Sequence, residues 1–311
     1  MNYKNTFVRA LGCSAAMLFS ALTLAQMPSP EETEVKVAEL SDNIYMLMGL
    51  GGNIALSTGP DGAFIVDDEL KPMSAKLKAA IATVSPAPVK MIFNTHWHFD
   101  HAGGNEFFAG DGALIVAHDN VRQRMSARQF STFFNSETPP SPDAALPVIT
   151  FDNTATFYLN GQTIKAMHVP PAHTDGDSIL IFEEANVVHL GDVFFNGMYP
   201  FIDINSGGSI AGMLEAIELI MPLLNEETKI IPGHGPAANL DDLRSYQSML
   251  ALVSARIQVL INEGKTKEQV VALRPSFNFD ADWGWQFLPG EKWVGLIYDS
   301  LVDTPRELAL D

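Results

Sequence analysis

Five of the eight histidines fall in just three short segments of the chain. The densest segment reads THWHFDHAGG and holds His96, His98, Asp100 and His101. It directly follows the apolar run Val89–Asn94, which is typical of a β-strand. Side chains two positions apart at a strand end share one face, so His96 and His98 can reach one ion. Asp100 and His101 lie beyond the bend and are expected to face a second ion.

Three further candidate ligands stand at turns between apolar runs. His173 lies in the segment PPAHTDGD, Asp192 ends the run VHLGD, and His234 lies in IPGHG. Each is expected where a strand leaves its sheet, the position from which a scaffold presents a site. Neutral imidazole and carboxylate are ligands that borderline cations such as Zn²⁺ accept. The sequence therefore predicts a metal site built from seven side chains in four segments.

Other residues close to this pattern are not assigned to the metal. His118, His168 and His189 are interpreted as packed or surface residues, because nothing nearby in the sequence completes a site for them. Trp97 and Phe99 stand between the candidate ligands. They are equally consistent with a wall of the site and with the core, and the sequence leaves that choice open.

The elements that must position the ligands are short strands interleaved with helices, which indicates an α/β or α+β domain. The predicted strands are Ile44–Met48, Asn53–Ser57, Ala63–Val66, Val89–Asn94, Ala113–Ala117, Thr156–Leu159, Thr163–Val169, Ser178–Phe182, Val187–Leu190 and Lys229–Ile231. The predicted helices are Ser74–Val84, with Ser74 as N-cap, Asn120–Phe134, Ile210–Leu224, Leu240–Glu263 and Trp293–Leu301. Two loops are expected, a mobile hairpin at Gly49–Asn53 with apolar neighbours Met46, Met48 and Leu50, and a Pro-rich loop or flap at Ser136–Pro147.

The first residues are typical of an export signal. Lys4 and Arg9 give a short positive region ahead of an apolar stretch, Leu11–Leu24, and small residues follow at the positions that a signal peptidase reads. We therefore expect a secreted, periplasmic protein. The expected organisation is a signal peptide at residues 1–25, a Pro- and Glu-rich leader at 26–42 and a single domain at 43–311.

Composition limits the partners. Cys13 is the only cysteine and falls in the predicted signal, so the mature protein has no disulfide, thiolate ligand or cysteine nucleophile. Loss of Lys4 and Arg9 with that signal would change the formal charge from −18 to −20. So acidic a chain repels phosphate backbones, which disfavours nucleic acid. We expect a small-molecule substrate and no membrane span in the mature form; the oligomeric state stays open.

The ligand pattern resembles that of the metallo-β-lactamase superfamily. The residues that match its metal motifs, in chain order, are His96, His98, Asp100, His101, His173, Asp192 and His234. The resemblance extends from about residue 43 to residue 236. It implies an α+β fold, the four-layer αβ/βα sandwich, with two mixed sheets face to face, helices outside and metals at one edge.

The resemblance also implies a role for each residue. The first site would comprise His96, His98 and His173, and the second Asp100, His101 and His234. Asp192 would bridge both, and Asp67 would support the metal loop. The implied cofactor is two Zn²⁺ ions, with iron or manganese as alternatives. Such a pair activates a bridging water to hydroxide and polarises the group under attack, while Asp100 would orient that water and accept its proton.

The sequence departs from the best-known β-lactamases at two positions. Asp192 stands where those enzymes carry a cysteine ligand, and Phe195 stands where they carry the lysine that binds the drug's carboxylate. The bridging carboxylate resembles that of thioesterases, lactonases and phosphodiesterases of the superfamily. Ser209, which follows two glycines, is equally consistent with a substrate contact and with an ordinary helix cap.

We therefore expect a dinuclear hydrolase with weak or promiscuous β-lactam hydrolysis, alternatively a lactonase, a glyoxalase-II-like thioesterase or a phosphodiesterase. A glyoxalase-II-like enzyme should carry a basic C-terminal segment, and only scattered residues such as Arg256 and Lys265 are present. A flavodiiron oxidoreductase should carry Glu at the position of His98. A non-catalytic metal-binding protein is disfavoured because no ligand position has been lost.

Overall fold

The computed structural model describes residues 29–285 and 287–303. The predicted signal peptide lies outside the described residues. The strands in this part of the chain are β1 Lys36–Ser41, β2 Ile44–Met48, β3 Ile54–Ser57, β4 Ala63–Val66, β5 Val89–Asn94, β6 Leu114–His118, β7 Gln129–Ser131, β8 Ser136–Thr138, β9 Ile149–Phe151, β10 Thr154–Leu159, β11 Gln162–His168, β12 Ser178–Phe182, β13 Val187–Phe195 and β14 Lys229–His234. The helices are α1 Ser74–Ala82, α2 Phe99–Ala102, α3 Asn105–Gly110, α4 Asp119–Met125, α5 Ile210–Ile220, α6 Leu240–Asn262, α7 Lys267–Ala272, α8 Asp280–Trp283 and α9 Gly290–Asp303.

These strands form two mixed sheets and one hairpin. The first sheet has the order β1-β2-β3-β4-β5-β6-β9, antiparallel up to β4 and parallel beyond it. The second has the order β10-β11-β12-β13-β14, and only its β13–β14 pair is parallel. Strands β7 and β8 pair with each other in a separate hairpin. No helix in the described ranges is long and apolar enough to cross a bilayer.

Alternating side chains on the strands create the layers. On β4, Phe64 and Val66 join the core between the two sheets, where Phe182 of β12 and Ile231 of β14 meet them. Their neighbour Ile65 faces the other way, into a core shared with α1 and α3. The outer face of the second sheet is covered by a larger core that α5, α6 and α9 complete. The order helix–sheet–sheet–helix is the expected four-layer α+β sandwich.

Several expected boundaries need correction. Helix α4 ends at Met125, where a helix as far as Phe134 was predicted, and the β7–β8 hairpin follows. Aromatic residues at helix-like spacing in this segment therefore do not mark a helix face. Ser74 is not an N-cap, because it is the first residue of α1 and its hydroxyl donates to the carbonyl oxygen of Lys71 over 2.9 Å. A short 3₁₀ turn continues directly into this helix.

The segment expected to be a leader contributes to the fold. Strand β1, Lys36–Ser41, pairs antiparallel with β2 at the edge of the first sheet. Upstream of it, the ammonium of Lys76 on α1 donates to the carbonyl oxygens of Glu31 and Thr33, both over 2.8 Å. The first sheet therefore includes residues that lie before the predicted domain start at residue 43. An edge strand is held by backbone hydrogen bonds to one neighbour, so it can form from a sequence that is not strongly apolar.

Two of the unassigned histidines meet between the sheets. His118 ends β6 and His168 ends β11, and their rings stack with centroids 3.7 Å apart. The backbone N–H of Asn120 donates to Nδ1 of His118 over 3.2 Å, while Nε2 is buried without a hydrogen-bond partner. Burial and the neighbouring His168 lower the pKa of His118, against a smaller opposing effect of Asp152 and Asp119. The fold thus favours the neutral imidazole.

This environment predicts a pH dependence of stability. The unfolded chain binds a proton at His118 near the ordinary pKa of 6.5, whereas the folded chain binds that proton only at a lower pH. The unfolded state then holds more protons, so His118 destabilises the fold as pH falls below about 6.5. We expect His118→Phe, which can still stack, to reduce the loss of unfolding free energy between pH 8 and pH 5. Urea titrations of both proteins across that range measure it, and parallel losses in the two proteins would refute the assignment.

Candidate metal centre

The seven predicted ligands converge at one edge of the sandwich. His96 and His98 follow β5, Asp100 and His101 lie on α2, and the others come from the loop after β11, from β13 and from the end of β14. Ligand atoms gather in two groups, within each of which they lie no more than 4.8 Å apart. The groups are His96, His98, His173 and Asp192, and Asp100, His101 and His234.

In the first group, three imidazoles turn single nitrogens toward one point. Nδ1 of His98 lies 2.7 Å from Nε2 of His173. The ring of His96 packs edge-on against both, with centroids 4.9 Å and 4.7 Å away. Nε2 of His96 is buried and has no hydrogen-bond partner among the described residues. Such an orphaned lone pair beside two other imidazole nitrogens fits a cation better than any hydrogen bond.

In the second group, Nε2 of His101 and Nε2 of His234 lie 3.2 Å apart. The carboxylate of Asp100 approaches them, with Oδ2 3.3 Å from His234 and 3.7 Å from His101. His101 is fully buried, whereas Asp100 and His234 are partly exposed toward the opening of the site. Two imidazoles and a carboxylate again give a nitrogen and oxygen donor set.

Asp192 lies between the two groups and divides its oxygens between them. Oδ2 is 3.3 Å from Nε2 of His173 and 3.8 Å from Nε2 of His96. Oδ1 is 3.0 Å from Nε2 of His101 and 3.6 Å from Nε2 of His234. Its position matches the bridging role that the resemblance implied.

Burial and neighbouring charges shift the pKa values of several candidate ligands. Burial lowers the pKa of His96 well below its usual range and that of His173 to about 4, so both imidazoles are neutral near pH 7. Burial alone would raise the pKa of Asp192, but the surrounding imidazoles, His101 first, hold it well below the ordinary value. Conversely, the carboxylates of Asp192 and Asp100 overcome burial and raise the pKa of His234 to about 9. A bound cation would therefore replace a proton on the second group.

Asp67 supports the metal loop as the resemblance implied. Its Oδ1 accepts the backbone N–H of Thr95 and its Oδ2 the hydroxyl of Thr95, each over 2.8 Å. Oδ2 also lies 2.7 Å from Nδ1 of His101, which leaves Nε2 of that ring free for an ion. Close packing fixes the loop as well, because a Cβ on Gly52 would lie 2.1 Å from the His101 ring. Only glycine fits at that position.

Sequence reasoning missed Asp203. Its Oδ2 lies 3.0 Å from Nε2 of His98, so that nitrogen carries the proton and Nδ1 keeps its lone pair toward the first group. The hydroxyl of Ser206 donates to the same oxygen over 2.7 Å, and Nε1 of Trp97 donates to that hydroxyl over 3.2 Å. Trp97 thus belongs to a positioning network, and it also packs against a small core that includes Val121 and Met125, which supports the core interpretation over the wall.

We expect Asp203→Ala to weaken metal binding in the first group about 10- to 100-fold, because His98 loses the partner that fixes its orientation. Competition with a chromogenic chelator measures the affinity. Asp203→Asn keeps a hydrogen-bond acceptor and should give an intermediate loss. Asp111→Ala, which removes an exposed carboxylate paired with Lys78, is the control. An unchanged affinity in Asp203→Ala would contradict the positioning role.

Asp177 was also missed, although it lies in the quoted His173 segment. Its carboxylate accepts the backbone N–H groups of His173 and Thr174 over 2.6 and 2.9 Å, and the hydroxyl of Thr174 over 2.6 Å. Burial raises the pKa of Asp177 to about 7 against these hydrogen bonds. A carbonyl group, that of Phe201, lies 2.7 Å from Nδ1 of His173 and orients the ring. Phe201 lies 28 positions from His173, so the local sequence pattern does not reveal it, whereas Asp177 lies only four positions away.

Beside the ligands lies a cavity of about 410 Å³. Phe99 lines it with 66% of its surface exposed, so Phe99 is a wall residue. Leu50 also lines it, but Met46 is fully buried between the sheets and does not offer the expected contact. The Gly49–Asn53 loop, which the sequence predicts as a mobile hairpin, is held to the metal centre by backbone hydrogen bonds from Gly52 to Asp100 and from Asn53 to Gly233.

Ser209 is the N-cap of helix α5. Its Oγ accepts the backbone N–H of Gly212 over 2.9 Å at the start of α5, and it does not line the cavity. The expectation that Ser209 contacts substrate is therefore not supported. Phe195, at the position of the usual lysine, does line the cavity and stacks on the ring of His234 with centroids 5.2 Å apart.

Residues 48–256 match the sequence profile described as "Metallo-beta-lactamase superfamily". The match covers most of the chain, and the chain belongs to this superfamily. Among curated relatives, a probable metallo-hydrolase from Methanocaldococcus jannaschii is 26% identical over 63% of this chain and 88% of its own length. An acyl-coenzyme A thioesterase from Gallus gallus is 24% identical over 62% of this chain and 72% of its own length. The protein is accordingly a metal-dependent hydrolase.

Solved structures agree on the fold. A metallo-beta-lactamase from Pontibacter korlensis aligns with a TM-score of 0.58 at 19% identity, over 70% of this chain and 99% of the other. A stereoselective inverting sec-alkylsulfatase from Pseudomonas sp. aligns with a TM-score of 0.63 at 15% identity, over 85% of this chain and 50% of the other. The shared sandwich therefore serves proteins described by different activities, and fold alone does not select among them.

Proposed function

We propose that this protein is an exported hydrolase of small activated carbonyl compounds that uses two divalent metal ions, most simply Zn²⁺. The supporting observation is the position of Asp192, whose two oxygens each face one ligand group. A carboxylate placed between two separate nitrogen clusters favours a pair of ions over a single one. The donor set without thiolate suits zinc, and also iron or manganese.

The residues around the pair would divide the work of hydrolysis. Bound metal would supply Lewis-acid activation of water and of the scissile group. Asp100 lines the cavity with its carboxylate beside the second group, and it would orient the water and accept its proton at Oδ2. The same acid would then return the proton to the leaving group. Phe195 and Leu50 on the cavity wall would exclude competing water.

Weak hydrolysis of β-lactams is the activity that we propose first. The resemblance to lactamase-like members supports it, while Phe195 in place of lysine removes a charge-assisted contact that is typically worth about 1.5–3 kcal/mol. That loss corresponds to roughly ten- to a hundredfold in binding, so we propose a high KM and comparable activity on another activated ester. The thioesterase among the curated relatives supports a thioester as the second candidate substrate. Lactones complete the carbonyl candidates, and phosphodiesters are the alternative outside that class.

A parallel assay tests this function. The zinc-loaded protein is offered a chromogenic cephalosporin, an aryl lactone, an acyl thioester and an aryl phosphodiester, each with and without a chelator. The proposal expects chelator-sensitive turnover of the lactam and of at least one other carbonyl substrate. Turnover of the thioester alone would select the second candidate. No chelator-sensitive turnover of any substrate would refute a hydrolase of this class.

Export is a separate part of the proposal and rests on the sequence of the first 25 residues. Protein recovered from its native host should begin near Gln26 and should be found outside the cytoplasm. N-terminal analysis by mass spectrometry, with fractionation of the periplasm, measures both. An intact Met1 on cytoplasmic material would refute the export proposal and leave the hydrolase proposal unaffected.

A further inference from the structure

The wall of the cavity is apolar wherever it is not built from metal-ligand candidates. Six aromatic side chains share it with two leucines, Leu50 and Leu70. The aromatic residues are Phe99, Phe134, Phe195, Phe201, Trp285 and Phe287. They come from widely separated segments, so the wall is a product of the tertiary fold. We call Phe134, Phe201, Trp285 and Phe287 the aromatic wall.

The aromatic wall is packed against itself. The Phe134 ring lies 5.3 Å from that of Phe201 and 5.7 Å from that of Phe287, centroid to centroid. Trp285 lies 4.9 Å from Phe287, and its Nε1 donates to the carbonyl oxygen of Tyr199 over 3.2 Å. One stacked pair and two tilted pairs at these distances give a defined apolar surface. The wall is therefore preformed for an apolar group.

Phe134 reaches this wall from the turn of the β7–β8 hairpin. The side chain of Asn205 fastens the hairpin by accepting both the backbone N–H and the hydroxyl of Thr132, each over 2.8 Å. Phe134 is 49% exposed, and Phe130 on the same hairpin is exposed to the same extent but does not line the cavity. Substitutions at Phe134 therefore change the wall of the cavity, and the same substitutions at Phe130 are a matched control on the same hairpin.

No lysine or arginine is among the described residues that line the cavity. Two basic residues, Lys71 and Arg124, line a neighbouring pocket. Both form salt bridges with other residues, Lys71 with Glu106 over 2.7 Å and Arg124 with Asp175 over 2.7 Å. A substrate carboxylate directed at the wall would lose water without gaining a partner, which is costly.

From this wall we infer that the hydrolase selects substrates whose recognition group is uncharged and apolar, an aryl or branched alkyl acyl group, and discriminates against those that carry a carboxylate there. The inference assigns the substrate class and rests on the proposed function. In the hydrolysis of an ester, water adds to the acyl carbon, the bond from that carbon to the alcohol oxygen breaks, and the leaving alkoxide takes the proton that the water loses.

A matched pair of esters tests the selectivity. The para-nitrophenyl esters of para-tolylacetic acid and of para-carboxyphenylacetic acid share the reacting carbonyl and the leaving group, and differ only by methyl against carboxylate. We expect kcat/KM for the tolyl ester to be about tenfold higher or more. Equal values, or a preference for the carboxylate ester, would overturn the inference.

Two lysine variants give the directed control. Phe134→Lys places a cation at the wall. It should lower the ratio of kcat/KM for the tolyl ester to kcat/KM for the carboxylate ester about twofold to fivefold, as expected for an exposed ion pair. Phe130→Lys adds the same charge to the same hairpin away from the cavity and should leave the ratio unchanged. The same narrowing in both variants would mean that long-range charge, and not the wall, sets the preference, which overturns the inference.

Binding without turnover separates this inference from the proposed function. The unreactive amides of the two acids are titrated into the metal-loaded protein by calorimetry. Tighter binding of the tolyl amide with no hydrolysis of either ester would support the wall's selectivity and refute the ester-hydrolase proposal. Equal binding of both amides, together with metal-dependent hydrolysis of both esters, would support the ester-hydrolase proposal and refute the selectivity of the wall.

Discussion

Asp192→Asn is expected to lower the affinity for metal on the order of a thousandfold and to reduce hydrolysis to near background. The substitution keeps the shape of the side chain but removes the charge that lies between both ligand groups. Taking one partner out of a buried ionic cluster typically costs about 3–5 kcal/mol, which corresponds to several factors of ten in a binding constant. Metal content by elemental analysis and turnover of the best substrate measure the effect.

His118→Ala is the control for this experiment. It removes an imidazole that stacks on His168 between the sheets and belongs to neither ligand group. It should keep the metal content and most of the activity. Equal metal content and equal activity in Asp192→Asn and His118→Ala would show that Asp192 does not bridge the two groups.

Removal of metal is expected to lower the melting temperature by about 10 °C. The metal-free centre keeps two ionised carboxylates, Asp100 and Asp192, and an unpartnered buried nitrogen on His96. A ligand present at 100 to 1,000 times its dissociation constant stabilises the fold by about 2.7–4.1 kcal/mol. For a domain of this size each kcal/mol shifts the melting temperature by about 2–4 °C.

Scanning calorimetry of the zinc-loaded protein, before and after a chelator is added and dialysed away, measures that shift. Returning zinc should restore the higher melting temperature. The Asp192→Asn variant should respond much less, which controls for effects of the chelator on the rest of the chain. Identical melting temperatures with and without metal in the wild-type protein would show that the centre contributes nothing to folding stability.

The ligands could be predicted from the sequence because they form local patterns. His96 and His98 alternate at a strand end, and the Gly and Pro residues around His234 mark the turn that presents it. The main strands could be predicted for the same reason, since the short continuous apolar runs of β2 and β4 reflect strands that are buried on both faces. Local periodicity carries such information without knowledge of the fold.

What the sequence could not reveal depends on long-range contacts. Asp203 lies 105 positions from His98, and nothing in either segment signals the hydrogen bond between them. The Phe130–Phe134 stretch has apolar residues at a spacing that also suits a helix, yet tertiary packing places Phe134 on the cavity wall. Strand β1 was assigned to the leader because its Glu-rich surroundings obscured a short edge strand.

The central claim is that seven side chains hold two metal ions, and counting those ions is its most direct test. The mature protein is purified without an affinity tag, supplied with excess Zn²⁺, freed of unbound metal and analysed by inductively coupled plasma mass spectrometry against an amino-acid quantification. The arrangement of His96, His98 and His173 on one side of Asp192, and of Asp100, His101 and His234 on the other, predicts two ions per chain. One ion or fewer per chain under these conditions would contradict it.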